Sequence, residues 1–464
     1  MTNDQLTALL TNNDKAKIIT ALKGIKPEIK LDELKKQFSI QGHAVLDVSK
    51  RPNKKVETDE GTSMEYVNRI AVSLQELICE RAVSFLFGSP VKIQCDPLDE
   101  NENLILKALN RVLKDNKMDS FSAEVALELF RSTEVAECWF VVPVKKTYKR
   151  YGFDSKAKVK CTMFSPWNGD VLYPLFSDTG DLIAFSREYI VSEEGKKVTY
   201  FETYTDEVKQ VWKKVGQDWE AEEPITNVIG KIPIVYASQT GPEWENVQPL
   251  IDRIEKLLSN HADTTDYHAS PTLFAKGEIT IMPKKGESGK LIAGDALSEL
   301  SYVSLDQAPE MVKFEYDTLL SLVYALSQTP NISFEAMKGL GDISGVAFDR
   351  LFVDAKLKVK KKRRIFDAYL ERRTNLILAL LSTIKTNLSD TCDIIDIDAV
   401  VQPFTFEDQK EMVDTLTTAV SGGILSKKTA VKLSGLVDDV DKEFDQITEE
   451  EATANTLNIA PGAI

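Results

Sequence analysis

Histidine is nearly absent from this chain: His43, His261 and His268 are the three among 464 residues. So few imidazoles leave few pairings of a nucleophile with a general base. His261 and His268 stand seven apart on an expected helix, about 10 Å along its axis, too far to share one metal as an i, i+4 pair would. Both read as packing on a helix face or as solvent-exposed. Cysteine is scarce as well. Cys79, Cys95, Cys138, Cys161 and Cys392 are odd in number, widely spaced and without a Cys-x-x-Cys pair, which argues against a disulfide framework and fits a reducing compartment. Long apolar runs are missing: the densest, Leu376 to Leu381, is six residues, where a membrane-spanning helix needs about eighteen or more. The opening MTNDQLTALLTNND has neither the cationic start nor the apolar core of a signal peptide. A phosphate-gripping loop is missing too. Lys285-Gly286-Glu287-Ser288-Gly289-Lys290-Leu291 lacks the earlier glycine of a Walker A loop and has Leu291 where Ser or Thr is required.

What is present has an ordinary globular composition, 43% apolar and 28% charged. A chain of 464 residues is long for one core, so two or three domains are expected. The charge is unevenly placed. The formal net charge is −15, and residues 390 to 464 hold 16 Asp and Glu against 5 Lys, a net −11. Such a surface repels DNA, because gripping phosphates takes Lys and Arg.

The periodicities predict an α+β chain, mostly helical. Val247, Leu250, Ile251, Ile254, Leu257, Leu258 and His261 recur along one helical face, with Pro249 near the start where proline is tolerated. Between Pro271 and Pro309 the pattern changes to short strands, LFAKGEITIM and LSELSYVSL, joined by the polar loop Lys284 to Lys290. Helical spacing returns at Met311, Phe314, Leu319, Leu322, Val323 and Leu326, and stops at Thr329-Pro330, since a residue before proline is pushed out of the α region. The glycine-bearing stretch NISFEAMKGLGDISG reads as a loop, with room for one helical turn. From Ser344 onward there is no proline until Pro403, and a stripe from Phe348 to Ile384 predicts one helix roughly 60 Å long. That length suits a spoke in a large assembly.

Further segments fall in a fixed order. They are HAVLDVSKRPNKKV (43–56), ERAVSFLFGSPVKIQC (80–95), YFETYTDEVKQVW (200–212), GKIPIVYA (230–237), SGVAFDRLFVDAKLKVKKKRRIFDAYLERR (344–373) and GGILSKKTAVKLSGLVDDVDKEFDQI (422–447). No single one is specific, but their order over roughly positions 40 to 450 resembles the portal proteins of tailed bacteriophages, in the siphophage branch. The resemblance implies an N-terminal arm (1–60), a wing of helices and β meander (61–246), a first stem helix (247–270), a β-containing clip (271–309) and a second stem helix (310–328). It continues with a channel loop (329–344), a long wing helix and strand (345–404) and a helical crown (405–464). The loop between stem and wing helix and the crown are both short for the family. The sequence leaves open whether the N-terminal forty residues, with Leu6, Leu9 and Leu10 as their main apolar anchors, are ordered in the single chain or form an arm that orders only on assembly.

By the same resemblance the protein is structural and non-enzymatic, needs no cofactor or metal, and assembles without membrane contact in the host cytoplasm into a ring of about twelve copies at one capsid vertex of the virion. Double-stranded DNA passes through its channel without sequence reading, and any ATPase that drives packaging is another protein. Asn331, Glu335, Lys338 and Asp342 then fall on the loop that narrows the channel, where Lys338, the only base, becomes a belt of charge when repeated around the ring. Lys256 and Lys313 on the stem helices are lesser candidates for such belts, each with exposed surface lysine as the plain alternative. Lys284, Lys285 and Lys290 fall on the clip, which implies docking of the terminase large subunit during filling and of a head-completion or adaptor protein afterwards; the plain alternative is a β-hairpin that closes the ring. Major capsid and scaffolding proteins complete the partners. The lumen is expected to be mostly acidic, with a few basic rings.

Two clusters invite other readings. Asp390, Asp393, Asp396 and Asp398 would suit a hard cation and a metal-dependent hydrolase, although Ile394 to Val400 alternates as a strand with one wet face. Lys356 to Arg364 carries seven bases in nine residues; it reads as a solvated helix surface, a contact with an acidic neighbour, or a DNA contact. A ring-forming scaffold without a channel is the remaining rival.

Overall fold

We describe a computed structural model of the chain, which covers residues 2–458 apart from 12–13, 25, 27–28, 59–60, 269–271, 278, 282–292, 295–297, 304–307, 334–337, 339–351, 405–408 and 438. The chain divides into two compact units, one of Met1–Asn331 with Asp354–Phe404, the other of Ile332–Val353 with Thr405–Ile464.

The first unit begins with α1 (Asn3–Leu10), capped by the Thr2 and Gln5 side chains in a reciprocal capping box, and α2 (Lys15–Lys23), capped by Asp14. These helices are packed, not free. Leu6, Ile18, Ile19 and Leu22 share one buried cluster with Ile183, Ala184, Phe201 and Trp212 of a β-sheet, and full burial of each such side chain contributes about 1.5–3 kcal/mol. Ion pairs from Lys23 to Glu188 and from Lys26 to Glu134, each 2.5 Å, pin the chain that follows. Ordering on assembly is therefore not needed for this segment. Ile18, Ile19 and Leu22 carry the packing more than the Leu9 and Leu10 anchors read from sequence, because they reach fully closed sites.

After α3 (Leu31–Phe38) comes an exposed hairpin, β1 (Lys54–Thr58) with β2 (Gly61–Glu65). Next are α4 (Leu74–Phe87), β3 (Lys92–Gln94), α5 (Glu100–Asp115) and α6 (Met118–Ser132). Helix α4 ends at Gly88, where a Cβ would lie 2.2 Å from the Ser84 carbonyl oxygen, so this turn tolerates no side chain. Two antiparallel sheets follow. Strands β4 (Glu134–Tyr148) and β5 (Ser155–Phe164) form a long hairpin, joined on the far side of β4 by β12 (Ile234–Ser238). Strands β6 (Val171–Phe176), β7 (Leu182–Glu193), β8 (Lys196–Tyr204), β9 (Val208–Val215) and β10 (Asp218–Ala221) form a meander in sequence order, with β11 (Ile225–Thr226) also pairing with β9. The segment 200–212 lies in this meander and 230–237 leads into β12.

Helix α7 (Gln248–His268) is followed by β13 (Thr272–Lys276), β14 (Ile279–Ile281), β15 (Ala293–Gly294) and β16 (Glu299–Val303), then α8 (Ala308–Leu326). Strand β13 pairs with β16 and β14 with β15, so the predicted small β module between two helices is present. The long helix α9 spans Val353–Ile384, 32 residues, or about 48 Å; the expected start at Ser344 lies outside the described residues. Its face of Phe366, Tyr369, Leu370, Ile377, Leu380 and Leu381 is buried. Helix α10 (Ser389–Ile394) and β16's successor β17 (Asp398–Val400), which pairs antiparallel with β3, close this unit.

The second unit contains α11 (Gln409–Ser421), α12 (Lys427–Ser434) and α13 (Val440–Asn458). Ser426 caps α12, and Gly435 ends it at φ 62°, the left-handed region glycine enters without strain. Among the described residues from 412 to 453 none is buried. Ile424 is 80% exposed and Leu436 59%.

Candidate channel elements

Helix α7 turns Ile251, Ile254 and Leu257 into the core, as its stripe predicts. A second stripe is polar and equally informative. The backbone N–H groups of Asn68, Ile70 and Val72, alternate residues of an extended segment, donate to Asp263 (2.6 Å), Ser259 (2.9 Å) and Glu255 (3.0 Å). Acceptors four residues apart on a helix share one face, so the segment is strapped along α7. Arg51 adds an ion pair to Asp263 at 2.6 Å. At the buried end His43 Nδ1 meets Glu255 at 2.5 Å, both side chains 2% exposed. Burial pulls the imidazole pKa down, but the hydrogen bond and charge of Glu255 outweigh it and leave His43 above its ordinary value. Sequence reading missed this role for His43, because its partner is 212 residues away.

Helix α8 packs on α7, with Arg253 paired to Glu315 at 2.6 Å and Val323 fully buried. Much of the rest of its apolar stripe is exposed: Met311 is 72% exposed, Phe314 75%, Leu322 42% and Leu326 55%. The turn after α8 is held firmly. Lys358 of α9 donates to the Ser327 carbonyl at 2.9 Å, Arg81 of α4 donates to the Pro330 carbonyl, and the Arg81 guanidinium lies 5.9 Å from the Tyr324 ring centroid. A cation on the last carbonyls of a helix is favourable there.

This arrangement corrects the reading of the basic run 356–364. Lys358 and Lys362 are neither solvated nor free for DNA; both pair with Glu243, Lys358 at 3.1 Å, and all three side chains are largely buried. Burial pushes Glu243 up, yet the two ammonium groups outweigh it and hold the carboxyl below its ordinary range. Lys360, Lys361 and Arg364 are the exposed bases. Further along α9, Arg373 makes two hydrogen bonds to Glu137 (2.8 and 2.9 Å) and one to Ser122 (2.9 Å), deep in the core.

The candidate residues are only partly brought together. Lys256 and Lys313 are exposed on the paired helices α7 and α8, and Asn331 and Lys338 are exposed. Lys338 lies in the other compact unit from Asn331. Glu335, Asp342, Lys284, Lys285 and Lys290 lie outside the described residues. Asp390, Asp393, Asp396 and Asp398 are all exposed; Asp396 and Asp398 alternate with buried Ile395 and Ile397, the wet-faced strand pattern, while Asp390 and Asp393 sit on α10. Among the described residues no group of three or more His, Cys, Asp or Glu could hold a metal ion. All five cysteines are free thiols, and burial pushes Cys138 and Cys161 up to about 12, which leaves them inert as nucleophiles. No helix among the described residues is long and apolar enough to cross a membrane.

The neck of a native GTA particle, computed with C12 symmetry, is similar in structure, with a TM-score of 0.43 and 11% identity over 90% of this chain and 98% of that one. The neck of an empty GTA particle, computed with C6 symmetry, matches with a TM-score of 0.40 and 11% identity over 78% and 89%. No curated protein matches the sequence. The profile of one family, described as "Phage portal protein, SPP1 Gp6-like", matches residues 47–457. That match takes in most of the chain, and this protein belongs to that portal family.

Proposed function

We propose that this portal subunit assembles into a ring of about twelve copies at one capsid vertex, and that double-stranded DNA moves through the ring on packaging and ejection. The observation that carries the reading is the α7–α8 pair, whose inner face is anchored in the core while Met311, Phe314 and Leu326 of α8 stay exposed. An apolar stripe of this size on a soluble chain marks a surface that associates, and neighbouring copies around a ring supply the cover. Side chains such as Lys256 and Lys313 then belong to the channel wall, and the chain between Asn331 and Asp342 narrows it. Arg81 and Lys358 grip the turn that precedes that segment.

The β module at 272–303 is the docking element for the terminase large subunit and later for a head-completion protein, and the shell contacts are to major capsid and scaffolding proteins. Function is structural, with chemistry supplied by partners. Electron microscopy of the purified protein tests the reading: rings with an axial channel of roughly 20 Å or more, enough for a duplex, are expected. Channel-free particles would leave a scaffold in its place. A second measurement addresses the loop: Lys338→Ala should leave rings intact and slow DNA packaging, and an unchanged packaging rate would remove Lys338 from the DNA path.

A further inference from the structure

We propose that the outer face of the β4–β5 hairpin docks an acidic, partly apolar segment of a partner protein. Residues 143–160 contain seven Lys and Arg against one acid, Asp154, in a chain whose net charge is −15. The hairpin gathers them. Residues directly opposite in an antiparallel pair point to the same face, and Phe140 stands opposite Lys160 and Val142 opposite Lys158. Lys156 joins them by the two-residue period of the strand. The opposite face, with Trp139 and Val159, is buried.

The outer face is thus a row of three lysines beside an exposed apolar pair, Phe140 at 39% and Val142 at 37% exposure. Lys145 and Lys146 are exposed at its far end. The hairpin's own acid does little to neutralise it: Asp154 pairs with Lys149 at 3.8 Å, with side chains 69% and 75% exposed. Lys158 Nζ lies 4.2 Å from the Tyr148 ring centroid, a contact that restrains this side chain.

Charge selects an acidic partner. The apolar pair at the centre, with bases around it, matches the apolar core and polar rim of a protein interface, whereas a duplex presents only phosphate to such a surface. On the far side β12 pairs with β4 only up to Cys138, and Trp139 donates to the Pro233 carbonyl at 2.9 Å. Beyond that point the β4 edge carries Pro143 and lysines, devices that keep like edges of two copies from pairing. The inference does not depend on the number of copies in the ring or on the path of DNA.

The test uses the full-length protein and three fluorescent probes: a short peptide alternating glutamate and valine, polyglutamate of equal length, and a duplex DNA of similar charge. The expected order is the alternating peptide first. Lys156→Glu with Lys160→Glu should weaken that peptide by about ten-fold or more, and Phe140→Ser by a few-fold. Should the double reversal disturb folding, as read by circular dichroism, Lys156→Gln with Lys160→Gln should still weaken binding several-fold. An unchanged affinity in the glutamine variant, no binding of the peptide, equal binding of polyglutamate, or tighter binding of the duplex through the same lysines would each overturn the proposal.

Discussion

Helix α9 and the C-terminal helices α11–α13 are both rich in charge, yet they use it in opposite ways. In α9, Lys358, Lys362 and Arg373 are turned inward onto Glu243 and Glu137, and the apolar face of the helix is sealed in the first unit's core. In the C-terminal helices the pairs Lys427–Glu451 and Lys428–Asp441 lie in solvent, no described residue from 412 to 453 is buried, and Ile424 and Leu436 face outward. One region is complete within a single chain. The other gains little of its own from folding, since hydrophobic burial is the main favourable term, and its apolar surface is consistent with cover supplied by neighbouring copies in the ring.

The comparison breaks most visibly at Arg373. Replacing it with Ala leaves Glu137 charged and unpaired in the core, and should cost about 3–5 kcal/mol in urea unfolding; a cost below about 1 kcal/mol would mean that the pair is not sealed. Glu243→Gln is expected to be next, at about 2–4 kcal/mol, because two buried ammonium groups lose their counter-charge. Its pH signature has a definite sign. The folded pKa of Glu243 is depressed, so its contribution is present above the unfolded value of about 4.3 and is lost as pH falls through the folded value. The glutamine variant should therefore unfold with a flatter acid limb than the parent.

His43 gives a smaller effect of the opposite sign. Its pKa is raised in the fold, so the His43–Glu255 pair stabilises fully below about pH 6.5 and loses that contribution as pH rises through the folded value. His43→Gln should cost about 1 kcal/mol at pH 6 and less at pH 9, measured by denaturant midpoints; a loss that does not vary with pH would assign the site to packing alone. Smallest of all is Lys427→Ala in the C-terminal unit, with its side chain 53% exposed, expected at under about 1 kcal/mol.

Local patterns were legible in the sequence, and distant pairings were not. The α7 and α8 stripes and the β module between them follow from periodicity and turn chemistry, which act over a few residues, while the meander was implied by the family resemblance. Lys358 and Lys362 looked solvated because nothing near them in sequence reveals Glu243, and Glu137 is 236 residues from Arg373. The α1–α2 packing was missed for the same reason: Ile18 and Leu22 find their cover on Phe201 and Trp212 of the meander. The strap on α7 had a readable sign in Glu255, Ser259 and Asp263 at four-residue spacing, masked by the stronger apolar stripe. The basic hairpin 143–160 was overlooked because its lysines alternate with apolar residues across a turn, whereas the run at 356–364 is contiguous.

Hydrogen exchange of assembled rings against dissociated subunits tests the central claim most directly, that α8 and the C-terminal helices are completed by neighbouring copies while α9 is complete in one chain. Assembly should strongly slow exchange in Ala308–Leu326 and Gln409–Asn458 and leave Phe366–Leu381 unchanged. Equal exchange in rings and subunits at α8 and the C-terminal helices would contradict the account.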